Sequence, residues 1–480
     1  MSQEAPGTRA DETRVDRCVR RLRANDPNLT SLRLADFLGG GLTAQYDDGE
    51  STSKIATALE GNTKVRYLNM RHFPVGETPA TQSIARAIQL NKSIVSLRLR
   101  VQDLLDSGAV QNFCEALGRR EDDFDVLLEF AASIEPFRLM AREFLESAKG
   151  LKKLSVIAQG TFDDEIGDLS PECFACCKSL RNIDLRSFSA RPQSVATLSA
   201  ALSSLNFIQS VGLRDVMLGN DGATTFAESF RASASLKRLR LQDCEIGDEG
   251  AKAVAKSLLP KLAGAELFLR RNFIGDEGAK ALAAAVSDDR IHPLGLSLDG
   301  NMYSSAGVKA FASVLLGNGT CLQQLCLSVD TVDEFAIQEL FESLKTNTEL
   351  RSLTFRVPSS SVIHWYTSIN EALLHNHTLV EFEHHTMCVP TEMTSEATRL
   401  RERCVQLLAW NQKGPIIAAA KKGALFPDHL IRGLPESAIP EAMARISELG
   451  GEARVRAFYS FFRKVDLGSL ARMTSKKRPL

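Results

Sequence analysis

The stretch IGDEGAKAVAKSL, residues 246–258, returns almost unchanged as IGDEGAKALAAAV, residues 274–286. In the first copy Ala251, Val254, Ala255 and Leu258 stand at i, i+3, i+4 and i+7, which places them on one face of a helix. Ala279, Leu282, Ala283 and Val286 do the same in the second. Asp248 and Asp276 sit where an N-cap oxygen is expected, and Glu249 and Glu277 add negative charge at the positive helix end. Just upstream, LKRLRL at 236–241 alternates Leu239 and Leu241 with Arg238 and Arg240, and a period of two is the mark of a strand.

Strand, turn and helix therefore form one unit, and the unit can be followed along the chain. Strand starts fall at Leu29, Val65, Ile94, Asp125, Leu151, Leu180, Ile208, Leu236, Gly264, Pro293, Leu322, Leu350 and Leu379. Most gaps are 28 or 29 residues and the first is 36, while the unit around FDVLLEF is placed by spacing more than by sequence. Later helices keep the pattern, with Val308, Phe311, Ala312 and Leu315, then Ile337, Leu340, Phe341 and Leu344. One strand edge and one helix stripe are too little to bury alone, so neighbours must stack and share a core. Strands joined through helices run parallel. The expected fold class is α/β, a curved solenoid of about 13 repeats with the parallel sheet on the concave face and the helices on the convex face.

The phrases LRLQDCEIGDEGAKAVA, LFLRRNFIGDEGAKALA and LSLDGNMYSSAGVKAFA resemble leucine-rich repeats of the ribonuclease-inhibitor type, and the resemblance spans residues 29–411. It implies a horseshoe. It also implies that Cys244, Asn272 and Asn301 occupy the slot whose side chain satisfies backbone groups in the turn after the strand. Elsewhere the slot holds Phe37, Phe73, Phe188, Val216 or Pro358, so those turns are expected to be built differently. Proteins with similar repeats are interaction scaffolds, enzyme inhibitors and small-GTPase activators. The acidic tail typical of the GTPase activator has no counterpart in SKKRPL, and no GTPase-contacting arginine can be matched.

Open ends of a repeat stack need covers. Residues 1–28 read as a disordered start and an N-terminal capping helix over 12–24, with Val15, Cys18, Val19 and Leu22 on one face. The array occupies 29–411, ending in a helix with Ala397, Leu400, Cys404 and Leu407 on its apolar side. Residues 412–470 form a helical C-terminal cap or accessory region, and 471–480 a basic tail. Phe458, Phe461, Phe462 and Val465 make the stripe of the last helix, either docked on the final repeat or offered to a partner, the second as in a cytoskeletal or membrane-associated adaptor.

Composition narrows the function classes. The 480 residues are 24% charged and 44% apolar with a formal charge of −1, so no bulk attraction draws nucleic acid or membrane. No apolar secretory core and no run of about 18 apolar residues is present, which leads to a cytoplasmic expectation with the nucleus as the other option. The ten cysteines are expected reduced, among them Cys114, Cys244, Cys326 and Cys404 at apolar positions. Cys173, Cys176 and Cys177 have CxxC spacing but no second pair, and are read as buried helix residues. His364, His375, His377, His384, His385 and Cys388 lie close together, and a metal site is conceivable where His377 and His385 converge across adjacent repeats near Cys388. But no carboxylate or cysteine pair sits at metal-ligand spacing, and LLHNHTL reads as a solvated junction from helix to strand. No phosphate loop, GxSxG, HExxH or kinase signature occurs. The expectation is a non-enzyme with no catalytic residue, cofactor or metal, and with neither a small-molecule substrate nor nucleic acid as partner.

The letters that differ between units carry more. Residues alternating with the core leucines face the open side of the sheet. Just after the last apolar strand residue stand Arg71, Arg100, Arg186, Arg214, Arg270 and Arg356, and two residues earlier stand Arg33, Arg98 and Arg240, with Arg238 earlier still in its strand. Exposed strand positions are polar in any fold, and arginine stems cover apolar surface. Alternatively the column is a surface for a protein with acidic groups, which arginine grips with a planar two-pronged donor. Glu129, Asp184, Glu266, Asp299, Glu381 and Glu383 interrupt it, which favours a protein of mixed charge over a nucleic-acid backbone. The expected function is a non-catalytic scaffold binding a protein partner through this face, the alternative a regulator of an enzyme with the same fold, and the expected state a monomer.

Overall fold

The structure is a computed structural model and describes residues 13–37, 49–71, 79–101, 115–130, 144–145, 148–158, 169–188, 192–233, 235–261, 264–287, 295–316, 322–329, 333–357, 362–376, 378–386 and 395–412. The chain divides into two compact units, Met1–Phe273 and Ile274–Leu480. The first holds nine strands: β1 (Ser31–Arg33), β2 (Tyr67–Asn69), β3 (Ser96–Val101), β4 (Phe124–Phe130), β5 (Leu151–Ala158), β6 (Asn182–Arg186), β7 (Ser210–Arg214), β8 (Arg238–Gln242) and β9 (Glu266–Phe268). They pair in chain order and in parallel. The second unit repeats the scheme with β10 (Gly295–Ser297), β11 (Gln324–Ser328), β12 (Ser352–Val357) and β13 (Glu381–Thr386). This is an α/β leucine-rich-repeat solenoid.

Strands begin about where the spacing puts them, but most start two residues later. Leu29, Val65, Ile94, Leu180, Ile208 and Leu236 are buried residues of the turn into the strand, and the ladder starts only after them. At the degenerate fourth unit β4 starts one residue early, at Phe124, and its pairing with β5 slips at Phe124/Asp125. In β8 the alternation is clean: Leu239 and Leu241 are buried while Arg238, Arg240 and Gln242 are half-exposed.

Helices pack against their neighbours in the chain, and their apolar stripes close the core. In the helix Asp276–Val286, Ala279, Leu282, Ala283 and Val286 are all buried, as the spacing requires. At the start of the array, Thr13 caps the helix Arg14–Arg23, which buries Cys18, Val19 and Leu22. At the end, the helix Ser395–Gln412 buries Ala397, Cys404 and Leu407. The stripe Phe458 to Val465 lies outside the described residues.

The helix starts correct one expectation. Gly247 and Gly275 hold the N-cap positions, so Asp248 and Asp276 stand one step inside, at the first helical residue. Asp276 instead reaches the next repeat, where Oδ1 accepts from the backbone N–H of Ser304 and Gly307, both at 2.8 Å. Asn220 does the same one repeat before the helix Asp248–Ala253, accepting from Gly247 and Gly250 at 2.9 Å. Stacking places the start of each helix beside that of its neighbour, so the free N–H groups are satisfied from there.

A second ladder runs along the ends of the helices. Asn62 donates to Leu22 O at 2.8 Å, Asn91 to Leu59 O at 2.5 Å, Asn347 to Leu315 O at 3.0 Å and Asn376 to Leu344 O at 2.7 Å. Each side-chain oxygen takes backbone N–H groups two or three residues on. Arg120 and Cys177 replace asparagine in this series, donating to Ile88 O and Leu145 O. The LLHNHTL junction is therefore only partly solvated: His375 is exposed, but Asn376 is 1% exposed and holds two turns together.

The turns after the strands behave as the resemblance implies where asparagine is present. Asn272 Oδ1 accepts from Cys244 N at 2.9 Å and Ile246 N at 3.1 Å, and its amide donates to Leu241 O at 2.7 Å. Asn301 accepts from Ile274 N and donates to Leu298 O. The Cys244 thiol bonds Leu213 O and Gln242 O, the same carbonyl positions one repeat back. Where Phe188 and Val216 fill the slot they are simply buried. Yet Ser187 and Asp215, just before them, have positive φ like Asp243 and Arg271, so the left-handed step persists without the polar side chain.

Candidate functional site

The open face of the sheet carries the residues singled out by alternation. Register puts Arg186 of β6 beside Arg214 of β7 and Arg214 beside Gln242 of β8. One step inward, Asp184, Gly212, Arg240 and Phe268 lie side by side across β6 to β9. One step further, Asn182, Ser210, Arg238 and Glu266 follow. Of these outward arginines Arg186 and Arg214 stand in direct register, with Arg238 and Arg240 on the next strand.

The carboxylates do not merely interrupt the row; they bind it. Glu129 of β4, its side chain 2% exposed, takes Arg98 Nε at 2.8 Å and a second, shorter contact from Arg98 Nη2, with Arg71 Nε at 3.1 Å. Asp184 accepts from Arg186 Nη2 at 2.7 Å and faces Arg214 Nε at 3.4 Å. Arg238 Nε donates to Glu266 at 2.5 Å. In the second unit Arg356 Nη1 donates to Asp299 at 3.0 Å, and the Asp299 side chain is 3% exposed. A carboxylate buried in this way needs its partners, because an unpaired charge out of water is costly.

Arg33 lies 3.8 Å from Asp36 at the first edge. Arg100 is placed by backbone register opposite Glu129, and its side chain lies outside the described residues. Arg270 is half-buried just past β9, where its carbonyl receives Asp243 N at 3.1 Å.

Two features of this face escape the sequence. Gly212 is one: a Cβ there would meet Asp184 Oδ1 at 2.6 Å, so the glycine lets Asp184 lean toward β7 and reach Arg214. The other is aromatic. Phe268 lies beneath Arg240 with the guanidinium carbon 5.1 Å from the ring centroid, and Tyr67 stands exposed on the same face of β2. Both could have been found by laying the strands in register and reading every outward letter, apolar ones included.

Among the described residues no group of three His, Cys, Asp or Glu is placed to hold a metal, and no helix is long and apolar enough to cross a membrane. His377 and Cys388 lie outside the described residues, as do the side chains of His384 and His385. Cys173 sits in a short 3-10 turn rather than an α-helix, with Cys177 buried and Cys176 half-exposed. Cys326 differs from its expected place among apolar residues: it points outward from β11 and is half-exposed. Burial pushes the Cys244, Cys177 and Cys404 thiols up to about 12, which leaves them unreactive.

A family model described as Leucine Rich repeat matches residues 232–255 and 266–283, the two units around the repeated phrase. No curated protein matches the chain. Among solved structures, leiomodin-1 actin-binding site 2 aligns at 14% identity over 46% of this chain and 88% of its own, with a TM-score of 0.20.

Proposed function

We propose that this leucine-rich-repeat protein is a non-catalytic interaction scaffold, of the ribonuclease-inhibitor type, that binds a protein partner through the arginine-bearing face of its sheet. The observation that carries the reading is the register of β6 to β9. Outward positions there place Arg186, Arg214, Arg238 and Arg240 against Asp184 and Glu266, four positive charges against two negative, a local excess of two. A protein of formal charge −1 thus keeps a basic patch on one sheet surface. Its complement is a protein surface with acidic groups, since an excess of two broken by carboxylates is a poor track for a nucleic-acid backbone. Repeat families of this kind are commonly interaction modules, and the type is supported by the roughly 28-residue period and by Asn272 and Asn301 in their turns. We place the protein in the cytoplasm or nucleus, as a monomer.

The test is affinity purification from native cell extract with wild type and with Arg186→Gln, Arg214→Gln, Arg240→Gln and Arg270→Gln combined. Glutamine is preferred to glutamate because Asp184 already lies within reach of Arg186 and Arg214. Loss of a wild-type partner from a variant with an unchanged melting profile supports the reading. An identical set of partners removes it.

A further inference from the structure

On the open face Arg240 stands apart from its neighbours. Arg71, Arg98, Arg186, Arg214, Arg238 and Arg356 each face a carboxylate. Among the described residues Arg240 forms no ion pair, and what lies against its guanidinium is the Phe268 ring. Its register partner on β7 is Gly212, which offers no side chain to cover it.

Three consequences follow from this placement. The ring lies under the guanidinium as a cation–π partner, which leaves its N–H donors without a carboxylate from within the chain. The missing side chain at position 212 leaves room over β7 that the Asp184 carboxylate enters from β6, where it faces Arg214 and forms no ion pair with Arg240. Burial, together with the like charges of Arg238 and Arg214, lowers the Arg240 pKa from the usual arginine range, while Asp184 and Glu266 oppose this only in part. A cation crowded by two others and half withdrawn from water is stabilised by an anion arriving from outside.

Resting on the partner-binding reading above, we propose that Arg240, between Arg214 and Arg238 and lying over the Phe268 ring, anchors an oxyanion on an acidic peptide segment of the partner protein. The oxyanion is a glutamate or aspartate carboxylate or a phosphoryl group, both of which match a two-pronged donor. The partner's anion completes at Arg240 the pairing that Glu129, Asp184 and Glu266 supply elsewhere from within the chain.

The probes are three labelled synthetic peptides of equal length, centred on three glutamates, on a phosphoserine, and on three glutamines, titrated by fluorescence anisotropy at low salt. The glutamate or phosphoserine peptide is expected to bind at least about tenfold more tightly than the glutamine peptide, an effect of charge-assisted pairing. Whichever of the two binds tells carboxylate from phosphoryl. Arg240→Gln is expected to remove that preference, Arg240→Lys to keep part of it, since it retains charge without the fork, and Arg231→Gln, exposed away from the outward strand positions, to leave it unchanged. Near-identical melting curves for the Arg240 variants guard against a folding defect. If Arg240→Gln binds like wild type while Arg186→Gln or Arg214→Gln does not, the anchor is wrong but the arginine face stands. If neither acidic peptide outbinds the glutamine peptide, the oxyanion anchor is overturned, and the purification with the fourfold variant judges the face separately.

Discussion

At β4 a carboxylate lies buried beneath two arginines, whereas at β8 an arginine lies half-buried between two others with a ring beneath it. Both clusters occupy the same face of the same sheet, and both begin as arginine alternating with leucine. They differ in what the neighbouring strand supplies. Glu129 converts Arg71 and Arg98 into a closed set whose value is internal. Phe268 gives Arg240 a surface to rest on and no charge to meet, so its pairing is left for another molecule. An arginine on this sheet is informative about binding only when the residues beside it in register are known.

The largest effect expected from breaking this difference is at the closed cluster. Glu129→Lys puts three cations together with one buried, and should cost at least about 4 kcal/mol in chemical denaturation, enough to unfold the surrounding repeats. Glu129→Gln, which keeps shape and removes charge, should cost about 2 kcal/mol by the same measurement. Arg240→Gln should move stability by no more than about 0.5 kcal/mol, because it relieves crowding as it loses contact. A loss there as large as that of Glu129→Gln would erase the distinction between the two sites.

Acid titration separates a structural carboxylate at the helix ends from those of the face. Burial alone would raise the Asp276 pKa, but the hydrogen bonds from Ser304 and Gly307 and the charge of Lys280 outweigh it and hold the pKa below the usual value. A carboxyl group with a depressed folded pKa contributes stability that is complete above its unfolded pKa, about 3.9, and is lost as pH falls through the folded one. Wild type should therefore lose stability more steeply than Asp276→Asn below about pH 4. Equal slopes in thermal melts across that range would show that the inter-repeat cap contributes nothing.

The smallest effect concerns the two sides of the sheet. Cys326 points outward and is half-exposed, whereas Cys244 is fully buried with its thiol pushed up to about 12. Alkylation mapped by mass spectrometry should modify Cys326 before Cys244, and the reverse order would mean that Cys326 does not face outward from β11.

The fold was legible because its cause is periodic. Every copy of Leu-x-Leu and of the helix stripe repeats one local preference, and copies reinforce each other even where single units such as FDVLLEF are weak. Cooperation between repeats was less legible. Asp276 looks like the cap of its own helix because a lone helix would need one there, and only stacking shows that Ser304 and Gly307 are its partners. The asparagine ladder was open to reading, since Asn62, Asn91, Asn347 and Asn376 recur before the strands, but polar letters at a junction suggest water until their spacing is compared. At the candidate site the arginine columns were visible, yet the sharing of Glu129 and Asp184 between two arginines depends on side-chain reach across strands. So does the lean of Asp184 over Gly212.

A partner seated on the arginine-bearing face is detected by footprinting with an arginine-selective dicarbonyl reagent, comparing the free protein with the protein carrying partners captured from cell extract. Binding on that face protects Arg214, Arg238 and Arg240 and leaves labelling unchanged at Arg231 and Arg351, which are exposed away from the outward strand positions. Protection of Arg231 or Arg351 with continued labelling of Arg240 would contradict this placement and move the binding surface off the sheet.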